Sequence, residues 1–474
     1  MTRKILILCS LFYLLPVPEM RAADATDYIK VFFNQPESAL SPSKSEIANP
    51  TTGIDDALAD FLETARSGDK VYLCFYDMDN TKVINAVNTS LVAVGNANMY
   101  MIYESTKSTS INNVLENLNI TKIITDGTTN SPLMHNKFAV IIDAANSTGR
   151  VWTGSYNPTD NGTTANNNNA VWIESYSLAQ IYEAEFLYMY NSGTGKFSTH
   201  KSTSANTAKS ITAGNDRIDV YFSPYTGNSN TDTSMVLEGL IDNATHSVFF
   251  SMFEFSNSES RLKTAVKEAH QNGLEVKGIV EAANAADLQS ELSLLGLDVV
   301  LDANDGLMHH KFCVIDYGTD HPKLITGSYN WTPSARDTND ENFLVIHSAQ
   351  VAKLFWEEFQ KNYSLARGGT AAPGQEAVDG VIVYPSPVKD SASATVGYEL
   401  SPSVSDVKIT FYTLDGAKVF MVEPDFYPGT YNEQSWGLLN DDGEKAASGL
   451  YVVKVEAETG DGVFFDTAKF AVIR

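Results

Sequence analysis

The sequence predicts an α/β fold in which one structural unit occurs twice, followed by a smaller all-β domain. Apolar strand-like runs alternate with amphipathic helical patterns through residues 26–365, an order typical of largely parallel sheets covered by helices. From residue 379 onward, short alternating runs are separated by turn signals, as in a β-sandwich of roughly a hundred residues. A motif that recurs in both halves of the α/β region indicates an internal duplication.

The predicted elements follow a similar order in both halves of the α/β region. The first half has helices over residues 54–66, 83–94 and 111–118 and strands over 71–76, 99–103, 120–125 and 138–142. The second half has helices over 235–241, 260–271 and 286–295 and strands over 248–255, 274–280 and 298–301. The all-β domain has strands over 381–384, 394–400, 407–412, 418–422 and 450–455.

Segments rich in Ser, Thr, Gly and Pro mark the domain boundaries. They divide the chain into a first unit (26–200), a second unit (201–365), a linker (366–378) and the all-β domain (379–474). The join between the two units lies within the Ser- and Thr-rich stretch 191–215.

Residues 1–25 are predicted to be a signal peptide. Arg3 and Lys4 precede an apolar run over residues 5–17, and small residues follow near the expected cleavage point. The run is shorter than a bilayer span and no longer one follows, so an integral membrane segment is not expected. The sequence therefore predicts a protein that is secreted or held at the cell surface.

The chain is acidic, with a formal net charge of −25. Such a charge argues against non-specific capture of nucleic acid by a broadly basic surface, although a local basic groove remains compatible with it. Beyond the signal segment only Cys74 and Cys313 remain, and both lie in apolar runs. They are expected to be buried thiols, and no zinc cluster can be built from them.

The recurring motif combines a histidine, a lysine two residues later, and a Gly-Ser-Tyr-Asn segment about twenty residues further on. The first copy is His135-Asn136-Lys137 with Gly154-Ser155-Tyr156-Asn157, and the second is His309-His310-Lys311 with Gly327-Ser328-Tyr329-Asn330. Alternate residues of a strand point to one face, so each histidine and its lysine can reach one phosphate group together. The pattern indicates a phosphodiester site shared by the two units, with the histidines as nucleophile and proton donor.

This pattern resembles the phospholipase D superfamily, whose members carry HxKxxxxD followed by GSxN in two copies. The resemblance covers roughly residues 26–365 and implies a reaction through a phosphohistidine without a cofactor or metal. It implies catalytic roles for both histidines, and phosphate binding by both lysines and by four further side chains: Ser155, Asn157, Ser328 and Asn330.

The first copy departs from the family pattern at two positions. Asp143 lies one residue further from its lysine than Asp316 does in the second copy, and a β-bulge is expected to absorb the extra residue. Both aspartates are interpreted as structural. Glu341 of the second copy corresponds to Asn168 in the first. By resemblance Glu341 is expected to bind the histidine of its own motif, His309, which would make His309 the acid and His135 the nucleophile.

The all-β domain resembles the Ig-like domains of flagellar hook-capping proteins and of bacterial sorting domains. The resemblance rests on Tyr384-Pro385-Ser386-Pro387, Tyr412-Thr413-Leu414-Asp415-Gly416 and Ala447-Ser448-Gly449-Leu450-Tyr451. It implies a contact with secretion or cell-surface machinery.

Three functions fit the sequence. The first is a secreted phosphodiesterase that hydrolyses phospholipid head groups and touches a membrane surface peripherally. The second is a secreted, metal-independent endonuclease, because the segment after the second Gly-Ser-Tyr-Asn looks most like nuclease-type members. The third is a binding module that has lost turnover, for which the departures of the first copy are the only support.

Overall fold

The structure is a computed structural model that describes most of the chain after residue 27. The described residues are 28–34, 53–107, 120, 123–125, 132–192, 209–224, 232–304, 306–367, 377–389, 393–401, 404–414, 416–428, 431–459 and 462–474. The predicted signal peptide, the predicted helix over 111–118 and most of both predicted linkers lie outside these ranges.

The first unit alternates strands and helices close to the predicted positions. Its elements are β1 (Ile29–Asn34), α1 (Ile54–Glu63), β2 (Lys70–Phe75), α2 (Thr81–Val94), β3 (Met99–Tyr103), β4 (Ile123–Thr125), β5 (Lys137–Asp143), β6 (Thr148–Gly154), α3 (Asp160–Thr164), β7 (Asn168–Glu174) and α4 (Tyr176–Ser192). Helix α2 illustrates the local signals, since the Asn80 side chain accepts a hydrogen bond from the Val83 amide and Gly95 at φ 77° ends the helix.

The second unit repeats this arrangement. Its elements are β8 (Lys209–Ala213), β9 (Asp216–Ser223), α5 (Thr233–Asp242), β10 (Ser247–Met252), α6 (Ser260–Gln271), β11 (Glu275–Val280), α7 (Ala282–Leu294), β12 (Asp298–Leu301), β13 (Lys311–Ile315), β14 (Lys323–Gly327), α8 (Pro333–Asp337), β15 (Glu341–His347) and α9 (Ala349–Ala366).

The sheets are mixed, so the prediction of largely parallel sheets is wrong. The first sheet has the order β1-β7-β6-β5-β2-β3-β4 and the second β12-β11-β10-β13-β14-β15-β9-β8. Only β2-β3-β4 and β10-β11-β12 pair in parallel, and the other neighbours are antiparallel. The strands that follow each motif are joined by short connections, such as residues 144–147 between β5 and β6, and these are too short for a parallel crossover.

The extra residue of the first motif copy lengthens a strand instead of forming the predicted bulge. Strand β5 keeps continuous register with β2 up to Ile142 and with β6 up to Asp143. The matching strand β13 ends at Ile315, and Asp316 follows it in a left-handed conformation at φ 58°. Strand β5 has seven residues and β13 has five, so strand pairing continues for two further residues on β5.

The two units share one hydrophobic core. It contains Phe138 and Tyr182 from the first unit together with Phe222 and Leu344 from the second, all of them buried. The rings of Tyr182 and Phe222 are 5.3 Å apart in an edge-to-face arrangement. The contact between the units is therefore a packed interior, and the geometry of a site between them is fixed.

The described part of the C-terminal region consists of β-strands. They are β16 (Val378–Tyr384), β17 (Val388–Lys389), β18 (Ala394–Leu400), β19 (Asp406–Thr413), β20 (Lys418–Val422), β21 (Tyr431–Trp436), β22 (Gly449–Thr459) and β23 (Gly462–Ile473). They form a three-stranded and a five-stranded sheet around a shared apolar core. The likeness to Ig-like domains stays a prediction.

The C-terminal domain rests on helix α9 through an aromatic contact. The ring of Tyr431 meets the buried ring of Trp356 edge-on at 6.0 Å, and the Lys353 ammonium lies 4.5 Å from the Tyr431 ring centre. Among the described residues, no helix is both long and apolar enough to cross a bilayer.

Tyr431→Ala should weaken the attachment of the C-terminal domain. It removes the ring that covers Trp356, and we expect the free energy of unfolding to fall by about 2 kcal/mol. Tyr427→Ala is the matched control, because the Tyr427 side chain is exposed, and should change stability by less than about 0.5 kcal/mol. Denaturant titration measures both, and equal effects of the two substitutions would contradict the described contact.

Candidate active site

Each motif histidine lies where its own unit meets the other unit. Met134 forms a parallel bridge with Asp340, and Asn167 forms the equivalent bridge with Met308. The amide of His135 donates to the Asp340 carbonyl at 2.9 Å, and the amide of His309 donates to the Asn167 carbonyl at 2.9 Å. The two motifs are therefore brought together as predicted, in a pseudo-symmetric pair at the start of β5 and β13.

The partners of the histidines are exchanged between the units. Nδ1 of His135 lies 2.8 Å from both carboxylate oxygens of Glu341, whereas Nδ1 of His309 lies 2.8 Å from the amide oxygen of Asn168. The expectation that Glu341 binds the histidine of its own motif is wrong. The bridge that joins Met134 to Asp340 carries the neighbouring Glu341 toward His135, and this is the physical reason.

Hydrogen bonds fix the tautomer of His309. The amide nitrogen of Asn168 donates to the Gly162 carbonyl at 3.0 Å, which turns its oxygen toward the imidazole. Ser155 also donates to this oxygen at 3.1 Å. Nδ1 of His309 must therefore carry the proton that it donates to Asn168. The Glu341 carboxylate is acceptor-only when ionised, so it fixes the same tautomer on His135. Both imidazoles present Nε2 for chemistry.

Ser155 and Ser328, predicted to hold phosphate, are buried beside the partners of the histidines. The Ser155 hydroxyl accepts a hydrogen bond from the Asn169 backbone amide at 3.0 Å. The Ser328 hydroxyl accepts one from the Asn342 backbone amide, also at 3.0 Å. Ser328 also hydrogen-bonds toward Glu341, as Ser155 does toward Asn168. The serines thus position the histidine partners, and phosphate binding by them stays a prediction.

Lys137 and Lys311 are buried, and each amino group donates to the carbonyl of its own motif histidine, at 2.7 and 2.9 Å. Burial lowers the pKa of Lys137 to about 7, and the carboxylate of Glu341 opposes this shift. Burial, followed by the charge of Lys137, lowers the pKa of Lys311 well below its usual value. The two ammonium groups are therefore held in a poorly solvated space where a bound anion would stabilise them.

Burial is also the main influence on the other titratable groups of the site. It lowers the pKa of His135 and of His309 well below the usual range, and the nearby lysine charges act in the same direction. It raises the pKa of Glu341 to about 8, against the pull of Lys137 and Lys311. The Glu341 carboxylate at 2.8 Å favours a positive charge on His135, and the neutral amide of Asn168 gives His309 no equivalent support.

Asn157 and Asn330 have buried amide oxygens that accept no hydrogen bond from the described residues. Buried polar groups are normally paired, and these two orphan amide oxygens occupy equivalent positions in the two motif copies. The predicted phosphate-binding role of both asparagines is compatible with this placement.

Two aromatic rings flank the site at equivalent positions. Tyr76 follows β2 and its ring is 4.8 Å from that of His135, whereas Phe253 follows β10 and its ring is 4.6 Å from that of His309. Lys311 also lies 4.5 Å from the Phe253 ring centre. Tyr76 was not identified from the sequence.

Two carboxylates that sequence reasoning missed hold the motif loops. The Glu104 carboxylate accepts a hydrogen bond from the Met134 amide at 2.7 Å. The Glu281 carboxylate accepts the equivalent bond from the Met308 amide at 2.8 Å. Each glutamate directly follows a strand, β3 or β11. Alignment of the two units strand by strand would have revealed this repeated acidic position.

The residue between each histidine and its lysine ties the units together. Asn136 accepts a hydrogen bond from Asn342 at 2.8 Å. His310 is buried and contacts Asn169 at 3.1 Å and Glu358 at 3.2 Å. His310 therefore connects the second motif to β7 of the first unit and to helix α9 of the second.

Both motif aspartates are structural, but they bind the backbone amides of different loops. Asp143 accepts the amides of Ala145 and Asn146 within its own turn. Asp316 is buried and accepts the amides of Thr245 and His246 at 2.7 and 2.8 Å, which anchors the loop before β10. The extra residue in the first copy explains the difference, because it carries Asp143 past the equivalent position.

Cys74 and Cys313 are buried, as expected, and the described residues contain no disulfide. Cys74 lies on β2 and Cys313 on β13. Within the described ranges, no group of three or more His, Cys, Asp or Glu side chains is placed to hold a metal ion.

Comparisons with known proteins match the α/β region. The family model for the PLD-like domain of cardiolipin synthase matches residues 58–190 and 237–363. Mitochondrial cardiolipin hydrolase of Mus musculus is 36% identical over 136 residues, which are 28% of this chain and 58% of that protein. Phospholipase D of Rickettsia prowazekii (strain Madrid E) is 28% identical over 173 residues, 34% of this chain and 82% of that protein.

Solved structures also match this region. The phospholipase D family member Nuc from Salmonella typhimurium has 22% identity and a TM-score of 0.28, covering 31% of this chain and 95% of its own. The chain spans only 58% of the length of the mouse relative that it matches. The family model matches more than half of the chain, in two segments that each hold one motif, and the chain therefore belongs to the phospholipase D superfamily.

Proposed function

We propose that this protein is a phosphodiesterase that hydrolyses phospholipid head groups through a phosphohistidine. The observation that carries the proposal is the pair of buried imidazoles, each oriented through Nδ1 by a partner from the other unit. Two buried lysines beside them supply positive charge for the phosphate oxygens. Relatives named phospholipase D and mitochondrial cardiolipin hydrolase support a phospholipid substrate.

His135 is the nucleophile in this proposal, on different grounds from those the sequence offered. Attack by its Nε2 on phosphorus creates a positively charged phosphoimidazolium, which the Glu341 carboxylate at 2.8 Å stabilises. His309 gives its Nε2 proton to the departing alcohol oxygen as the phosphorus–oxygen bond breaks. Burial and the lysine charges lower the pKa of His309, so this doubly protonated form is one that the bound phosphodiester anion stabilises. The neutral partner Asn168 makes His309 a stronger acid than a carboxylate-paired imidazole would be.

The second step reverses these roles at His309. The now neutral imidazole takes a proton from water as the water oxygen attacks phosphorus, and the phosphorus–nitrogen bond to His135 breaks. No redox change or metal is needed. Export through the predicted signal segment and a task at the cell surface belong to the same proposal.

His135→Ala and His309→Ala should each reduce turnover below about 1% of wild type, because each removes a group that the cycle requires. The assay is hydrolysis of short-chain phosphatidylcholine with EDTA present, with single-stranded DNA as the competing substrate. Circular dichroism checks that both variants fold. Residual turnover well above that level, or activity confined to DNA, would contradict the proposed function.

Glu341→Gln should slow substrates with good and poor leaving groups by similar factors, about 10² or more, because Glu341 supports the nucleophile and not the acid. Glu358→Gln is the matched control, since Glu358 is equally buried but contacts His310. The measurement compares kcat/KM for a choline ester and a nitrophenyl ester. Selective slowing of the choline ester would place Glu341 on the acid instead.

The pH profile should show an alkaline loss of kcat/KM. The pKa of Lys137 is lowered to about 7, so its ammonium is present below that pH and is lost above it. Without this charge the enzyme binds the phosphodiester anion more weakly. The pKa of Glu341 is raised to about 8, so ionisation of its carboxylate offsets that loss up to about pH 8, and kcat/KM should fall by about tenfold per unit above it. A profile that stays flat to about pH 9 would contradict a low lysine pKa.

A further inference from the structure

Two strands that lie outside the sequence motifs end beside the partners of the motif histidines. Strand β1 pairs antiparallel with β7, and its last residue, Asn34, is opposite Asn168. Strand β9 pairs antiparallel with β15, and its last residue, Ser223, is opposite Glu341. Asn34 and Ser223 therefore occupy equivalent positions in the two units, each next to the side chain that orients one histidine.

These two strand ends make equivalent contacts. The side-chain amide of Asn34 donates to the Asn166 carbonyl at 3.0 Å, and the hydroxyl of Ser223 donates to the Asn339 carbonyl at 3.3 Å. Asn166 and Asn339 each lie two residues before the partner of a histidine. Both donors are buried. Each strand end therefore holds the segment that leads into one histidine partner.

Asn34 also reaches two carbonyl groups of helix α3. Its amide nitrogen lies 3.0 Å from the Gly162 oxygen and 2.6 Å from the Thr163 oxygen. Three carbonyl oxygens around one end of the side chain identify that end as the nitrogen, because only the NH₂ group can donate. Helix α3 has five residues, so its last carbonyls depend on donors from outside the helix. Asn34 is one such donor.

The Gly162 carbonyl connects Asn34 to His309. The same oxygen accepts the Asn168 amide at 3.0 Å, and this bond turns the Asn168 oxygen toward Nδ1 of His309 at 2.8 Å. Gly162 is closely packed, since a Cβ there would lie 2.4 Å from the Asn157 carbonyl oxygen. Loss of the Asn34 contact would weaken the placement of the Gly162 carbonyl and, through it, the orientation of the Asn168 amide.

We propose that Asn34 is a positioning residue for the proton donor of the reaction. It acts through the Gly162 carbonyl and Asn168, which keep the proton of neutral His309 on Nδ1 and leave Nε2 for the substrate. This inference rests on the proposed function, in which His309 protonates the leaving oxygen. Ser223 supports the nucleophile in the equivalent way, through the segment that carries Glu341.

Asn34→Ala should slow a poor leaving group more than a good one. The measurement compares kcat/KM for dihexanoyl phosphatidylcholine, whose choline needs protonation, and for a 4-nitrophenyl phosphodiester, whose nitrophenol does not. We expect about a thirtyfold loss on the choline ester and less than about a threefold loss on the nitrophenyl ester. Ser223→Ala should instead slow both esters by similar factors, since its segment carries the partner of the nucleophile.

Asn243→Ala is the matched control. The exposed Asn243 amide donates to the Gly239 carbonyl near the end of helix α5, so this variant also removes an asparagine that binds a helix carbonyl. Both esters should react with it at wild-type rates.

A second measurement reads the tautomer of His309 without any substrate. Nitrogen-15 NMR of the full chain with labelled histidine should show Nδ1 of His309 protonated in the wild type and a mixture of tautomers in Asn34→Ala. Loss of signals in His309→Ala assigns the resonances. If Asn34→Ala does not fold, Asn34→Ser takes its place, because it keeps a hydroxyl like that of Ser223. It should change the tautomer and the ratio of the two rates in the same direction by a smaller amount.

The outcomes separate this inference from the function on which it rests. An unchanged His309 tautomer would overturn the role of Asn34. Equal losses on both esters, together with a lower free energy of unfolding, would make Asn34 a structural residue only and would also overturn it. If the wild type hydrolyses neither ester, the proposed function fails, and the tautomer alone then decides whether Asn34 positions His309.

Discussion

The site depends on two short backbone bridges between the units. Met134 pairs with Asp340 and Asn167 pairs with Met308, so each motif enters its strand beside a loop of the other unit. These bridges set which side chain reaches which histidine, and neither unit alone contains a complete site. The shared core and the Asn136–Asn342 hydrogen bond hold the same register. Geometry at the site is therefore a consequence of packing between the units.

The substitution of Asn168 for a glutamate changes the charge of the site. The two motif copies place two buried lysines, Lys137 and Lys311, beside one buried motif glutamate, Glu341. A second glutamate at position 168 would put a carboxylate beside His309 and give both histidines the same partner. The departure of the first motif copy is therefore a source of asymmetry between the two histidines.

The sequence was sufficient to predict local structure and the class of reaction. Helix α6 and strands β3, β12, β18 and β20 lie where periodicity placed them, and the two motifs do meet. Strand direction was mispredicted because helix–strand alternation describes only part of each sheet, and hairpins build the rest. The partner of Glu341 could not be read from spacing, since it depends on contacts between residues about two hundred positions apart.

The most direct test of the account uses His309→Ala with bis(4-nitrophenyl) phosphate. An activated leaving group needs no acid, so His135 should still attack, but without His309 no group activates water to release the adduct. We expect a burst of about one nitrophenol per enzyme molecule and a 4-nitrophenylphosphoryl group on His135 by mass spectrometry. Absence of the burst, or an adduct on His309 when His135→Ala is treated in the same way, would contradict the assignment.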